Sequence, residues 1–172
     1  MQNNKIHARI LFLAQAAIIA ALYAAVTLAV PFLSYGPVQF RLAEALTILP
    51  VLTPAAIPGL AIGCFIANLG SPYGMVDIIF GTLASLLASI CTYRLRNIQW
   101  KRLPWLSALM PVLFNGVIIG AMLAYVLFDT FAWQNMLLFG SQVAAGQFVV
   151  VFALGLPLTV LLRKTRIFAA QN

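Results

Sequence analysis

Four apolar stretches decide what this chain can fold into: Ile10–Leu33, Met75–Tyr93, Leu103–Phe128 and Leu137–Leu162. Each is close to, or longer than, the roughly 20 residues a helix needs to cross the hydrocarbon core of a bilayer. Inside lipid the backbone must satisfy its own hydrogen bonds, so only helices and closed barrels span it. The ten-residue alternation of a barrel strand is not seen here. The chain therefore reads as all-α, an integral membrane bundle. Charged residues make up 8% of its 172 positions, against about 25% in a soluble domain. That length predicts a single transmembrane domain over residues 1–172.

A formal charge of +7 would suit a nucleic-acid partner if it were spread along one face. It is not: every Lys and Arg except Arg41 falls in Lys5/Arg9, in Arg94/Arg96/Lys101/Arg102 or in Arg163/Lys164/Arg166. These groups flank the apolar stretches, which is the positive-inside pattern of a membrane protein. No nucleic-acid partner is expected; the surrounding partner is membrane lipid. The run after Arg9 exceeds the 7–15 residues of a signal-peptide core, so it reads as a retained first helix. Cys64 and Cys91 lie in apolar segments and read as free packed thiols.

The segment from Arg41 to Leu69, broken by Pro50, Pro54, Pro58 and Gly59, crosses the membrane once as a kinked helix or twice as two short ones. One crossing would put two basic groups opposite the basic amino terminus. Two crossings put them all on one side. Two crossings are therefore expected, giving six helices at about 10–33, 41–54, 57–69, 75–93, 103–128 and 137–162, with both termini cytoplasmic. The second and third helices are too short to span about 30 Å unaided, so tilting, thinning or shelter by neighbours is expected.

The first helix carries two small-residue rows, Ala16/Ala20/Ala24 and Ala17/Ala21/Ala25. Such spacing lets another helix approach closely in lipid. The other helix belongs either to this bundle or to a second membrane protein, and the width of the doubled strip favours the second. Gly116, Gly120 and Ala124 form a further row on the fifth helix.

Ionisable groups in lipid are expensive and usually face a bundle interior or a wet cavity. Placed by depth, Arg41, Glu44, Asn68, Asp77 and Gln142 fall toward the outer side, with Asn115 and Gln147 nearer the middle. Phe40, Tyr73 and Trp133, with Tyr35 and Tyr125, surround that level. The set reads as an outward-opening pocket for a polar solute. Each member also has a plainer reading. Arg41 and Glu44 could form an i,i+3 ion pair. Asp77 suits a helix N-terminus. The amides serve as interhelical glue, and the aromatics form an interfacial belt.

Catalytic chemistry has little to stand on. His7 is the one histidine, in the inner tail, and no metal-ligand spacing or G-x-x-x-x-G-K-[ST] phosphate loop occurs. No enzyme activity, metal or cofactor is expected, and any ATP must be used by another chain.

The strings GPVQFRLAEALTILPVLTPAAIPGL (Gly36–Leu60), Ile62-Gly63-Cys64-Phe65-Ile66-Ala67-Asn68 and Asp77-Ile78-Ile79-Phe80-Gly81 resemble the QueT family. Its members are substrate-binding S-components of energy-coupling factor (ECF) transporters for queuosine precursors. The resemblance implies a six-helix S-component. It would dock through the alanine rows on a transmembrane coupling subunit driven by two ATPase subunits, and topple to carry its pocket inward. It also implies a 7-deazaguanine ligand. Glu44 would accept the guanine-like N–H edge, and Arg41, Asn68 or Gln142 would donate to the ring carbonyl. Phe40, Tyr73 or Trp133 would stack on the heterocycle, and Asp77 would pair with an aminomethyl cation.

Overall fold

A computed structural model describes residues 2–35, 40–101, 103–129 and 132–165. The expected outer turn at Gly36–Pro37, the basic residues Arg102 and Arg166, and loop residues Thr130 and Phe131 lie outside those described. The described residues are all-helical, without a strand; Trp100 and Leu103 form one isolated bridge. Four of the helical runs are long and apolar enough to cross a membrane.

Helix α1 covers Gln2–Ala29 and a short α2 covers Pro31–Ser34. The first helix was expected at about 10–33. It starts earlier, because the apolar window marks hydrocarbon and not helix length. It stops sooner, because Pro31 begins a new turn without a backbone N–H. Next comes a 3-10 helix, Leu42–Val51, where an α-helix was expected over 41–54. Pro50 inside it cannot supply a regular helical donor. Ten residues is long for this form, which seldom runs past three or four.

Helix α3, Ala56–Asn68, takes Pro58 in its first turn, where the missing N–H has no intrahelical partner to lose. Helix α4 covers Met75–Arg94 and α5 covers Trp105–Phe128. Helix α6, Trp133–Val150, widens into a π turn at Val151–Gly155 before α7, Leu156–Thr165. The expected uninterrupted run over 137–162 is thus broken. A regular helix would drive the Pro157 ring against the carbonyl four residues earlier, and the wider turn relieves that.

Neighbouring helices pack in the order α1, α3, α4, α5, α6. The 3-10 helix packs against this row and touches α1, α3, α4, α5, α6, α7 and the π turn. Eight of its ten residues are buried, from Ala43 to Val51. Close approach depends on glycine. A Cβ on Gly59 would stand 2.8 Å from the Ala16 carbonyl, and one on Gly63 2.9 Å from that of Ala20. Likewise a Cβ on Gly120 would fall on the Gly140 backbone, which locks α5 against α6. Gly155 lets the π turn reach the Ala45 carbonyl of the 3-10 helix.

Polarity is inverted relative to a soluble protein. Leu13, Ile18, Leu22, Ile79, Val117 and Leu161 face outward, while Arg41, Glu44, Asn68, Asp77, Asn115 and Gln147 are buried. Apolar exteriors over a polar centre suit lipid as the solvent.

Candidate functional site: a buried polar cluster around the 3-10 helix

The site is built outward from the start of the 3-10 helix. Arg41 precedes it in an extended conformation (φ −75°, ψ 103°), so its side chain leaves the register of the helix it caps. Its Nε donates to the Ser34 carbonyl at 3.0 Å, Nη1 to Asn68 Oδ1 at 3.1 Å and Nη2 to Asp77 Oδ2 at 3.1 Å. The guanidinium carbon lies 5.4 Å from the centroid of the Tyr35 ring. Asn68 returns a bond from Nδ2 to the Asp77 carbonyl at 2.9 Å, and the Ser71 hydroxyl donates to Asp77 Oδ2 at 2.6 Å. One arginine thereby ties together the ends of α2, α3 and α4.

Glu44, one 3-10 turn further on, faces a different set. The Tyr23 hydroxyl donates to Oε1 at 2.5 Å, and Gln147 Nε2 donates to Oε2 at 2.7 Å. Asn115 Nδ2 stands 3.5 Å from Oε2. These donors come from α1, α6 and α5. Thr47 caps the same turn by donating to the Glu44 carbonyl at 2.6 Å. Arg41 is 4% exposed and Glu44 2%, so both charged groups are withdrawn from solvent.

The i,i+3 ion pair considered from spacing does not form. Arg41 pairs with Asp77, and no ion pair joins it to Glu44 among the described residues. The reason is its extended backbone, which removes the helical geometry such a pair requires. Two acceptors in the region are left over: Asp77 Oδ1 and Gln142 Oε1 are buried and meet no hydrogen-bond donor.

Of the residues singled out by depth, Arg41, Asn68 and Asp77 join one hydrogen-bonded set and Glu44, Asn115 and Gln147 a second, both at the start of the 3-10 helix. Tyr73 sits at the margin of the first, half-buried, and donates to the Tyr35 carbonyl at 3.1 Å. Burial, with the Asp77 carboxylate adding to it, pushes the Tyr73 phenol above its usual range. Gln142 is half-buried and makes no bond to either set; Gln147, deeper in α6, is the glutamine that reaches Glu44. Phe40 and Trp133 are exposed, Trp133 to 66%.

Tyr23 was not anticipated. Its signal was present in the sequence: Gln15, Ile19, Tyr23 and Thr27 recur every fourth position and are all buried. Three polar members of four mark the inward face of α1. Ser34, the last residue of the four-residue α2, and Ser71, in the turn before α4, were also missed, since segments so short carry no periodic signature.

The alanine rows take different surroundings. Ala16, Ala20 and Ala24 are buried, and Ala16 and Ala20 meet Gly59 and Gly63 of α3. Ala17, Ala21 and Ala25 are exposed. The first row is engaged inside the chain, and only the second is open to another protein.

Carboxylates and amide donors on converging helices, enclosed by an apolar exterior, mark a helical membrane protein with a polar interior. The chain belongs to the QueT transporter family, whose family model matches residues 13–164. It is also similar to the "Queuosine precursor transporter QueT" of Lactococcus lactis subsp. cremoris (strain MG1363). The two are 40% identical over 73 residues, or 41% of this chain and 43% of that relative. No solved structure matches the chain.

Proposed function

We propose that this chain is the solute-binding S-component of an ECF-type importer in the bacterial cytoplasmic membrane. It captures a queuosine precursor, a 7-deazaguanine such as 7-aminomethyl-7-deazaguanine or queuine, from outside. In this reading α1, the 3-10 helix, α3, α4, α5 and the α6–α7 run make six crossings, and both termini are cytoplasmic. A transmembrane coupling subunit docks on Ala17, Ala21 and Ala25, and two ATPase subunits supply the energy. Ala16, Ala20 and Ala24 keep α1 seated on α3 beneath that face.

One observation carries the reading: a fully buried carboxylate, Glu44, held only by neutral donors from three separate helices. An N–H-rich heterocycle edge is the natural partner of such a carboxylate, since two parallel donors meet its two oxygens. Gln147 and Asn115 then turn to the ring carbonyl or ring nitrogen. Arg41 and Asn68 fix the outer wall, Tyr73 offers a ring face at the margin, and Asp77 Oδ1 accepts from the 7-substituent. Phe40, Trp133 and Gln142 join only if the outer loops close over the ligand.

Co-purification with the coupling subunits, followed by mass spectrometry of the released small molecule, tests the proposal. A 7-deazaguanine is expected. Recovery of another vitamin or base would make the chain an S-component of different specificity. A complex carrying no solute would make it a structural membrane protein.

A further inference from the structure

We infer that the site selects for a solute bearing one net positive charge and refuses its neutral isostere. This rests on the solute-binding role proposed above and names a property of the ligand that the role alone does not require. The described interior holds one guanidinium, Arg41, against two carboxylates, Glu44 and Asp77. Arg41 directs Nε, Nη1 and Nη2 at Ser34, Asn68 and Asp77, and forms no ion pair with Glu44 among the described residues. The side-chain donors that reach Glu44 are all uncharged: Tyr23 from α1, Asn115 from α5 and Gln147 from α6. The other described Lys and Arg residues lie in the first turns of α1, around the 94–101 loop and at the end of α7.

Buried carboxylates therefore outnumber buried guanidinium by one in a low-dielectric interior, where excess charge of one sign is disfavoured. An independent feature points the same way. Asp77 Oδ1 is fully buried, belongs to a residue 0% exposed and meets no donor. A ligand ammonium supplies both the missing charge and the missing N–H. A neutral ligand of equal shape supplies neither charge nor a charge-assisted bond.

The test uses the purified full-length chain in detergent and isothermal titration with two probes. 7-Aminomethyl-7-deazaguanine is a cation, and 7-hydroxymethyl-7-deazaguanine is its neutral counterpart with similar size and a donor in the same place. The amine is expected to bind about 10- to 100-fold tighter, the range for a hydrogen bond to a charged group. Equal or tighter binding of the alcohol overturns the inference. A ligand-free measurement separates this from failure of the proposed function. Glu44→Gln removes the excess charge and is expected to melt no lower than the wild type, whereas Asp77→Asn strands Arg41 and melts lower. If neither probe binds, the 7-deazaguanine assignment falls, and the melting comparison alone decides the charge imbalance. Glu44→Gln melting as far down as Asp77→Asn overturns it.

Discussion

Arg41 and Glu44 stand three positions apart yet answer to different partners: Arg41 Nη2 meets Asp77 Oδ2 at 3.1 Å, while Glu44 Oε1 receives the Tyr23 hydroxyl at 2.5 Å. The extended backbone at Arg41 and the 3-10 turn after it separate the two charges. One charge closes the ends of α2, α3 and α4. The other draws on α1, α5 and α6.

Breaking the first of these contacts on one side only should be severe. Asp77→Asn leaves a buried guanidinium without its counter-ion and is expected to lose about 3–5 kcal/mol. The double variant Arg41→Met/Asp77→Leu removes both charges and should recover much of that loss. Thermal unfolding of the wild type, both variants and the single changes Arg41→Met and Asp77→Leu in one detergent measures it; strictly additive losses for the double variant would mean that the pair is not coupled.

Gly81 is the second point of leverage. A Cβ there would land on Asn68 Nδ2 and lie 3.2 Å from Asp77 Oδ1. Gly81→Ala should therefore cost about 1–3 kcal/mol by overpacking. Combining it with Asn68→Ala, which vacates the space, should cost less than the two single changes added together. Chemical or thermal denaturation of the set decides the matter.

Tyr23 is buried and directs its hydroxyl at a carboxylate. Tyr23→Phe keeps the ring and deletes that donor, so a loss of about 1.5–3 kcal/mol is expected, as for a bond to a charged acceptor. A change within ~0.5 kcal/mol, as at an indifferent surface site, would show that Glu44 does not depend on it.

The two alanine rows predict opposite phenotypes for neighbouring positions. Ala20→Leu should lower the melting temperature, since the Ala20 backbone lies against α3 at Gly63. Ala21→Leu should leave melting unchanged but weaken co-purification with the coupling subunit. Pull-down and melting on both variants check this, and loss of complex with Ala20→Leu alone would reassign the docking face.

How much of this was legible beforehand varies by residue, for physical reasons. The cost of charge in lipid made Arg41, Glu44, Asn68 and Asp77 conspicuous, and hydropathy alone marked the four long spans. Their pairings were not legible, because an α-helical turn was assumed where Pro50 and the extended Arg41 impose a 3-10 form. That form advances about 120° per residue instead of 100°. Both alanine rows were visible, but which one faces inward depends on Gly59 and Gly63 lying opposite, a tertiary fact. Pro157 was a readable warning of the π turn that interrupts the last span. Trp133 and Phe40 looked like pocket aromatics from depth alone, and depth carries no information about which way a ring on a helix or loop points.

Everything turns on Glu44 as the group that recognises the solute. Isothermal titration of 7-aminomethyl-7-deazaguanine into wild type and Glu44→Gln, with melting recorded alongside, tests this most directly. The account predicts saturable binding to the wild type and at least about a 100-fold loss in the variant, equivalent to roughly 2.7 kcal/mol, with no fall in melting temperature. Equal affinity for the two proteins would contradict it.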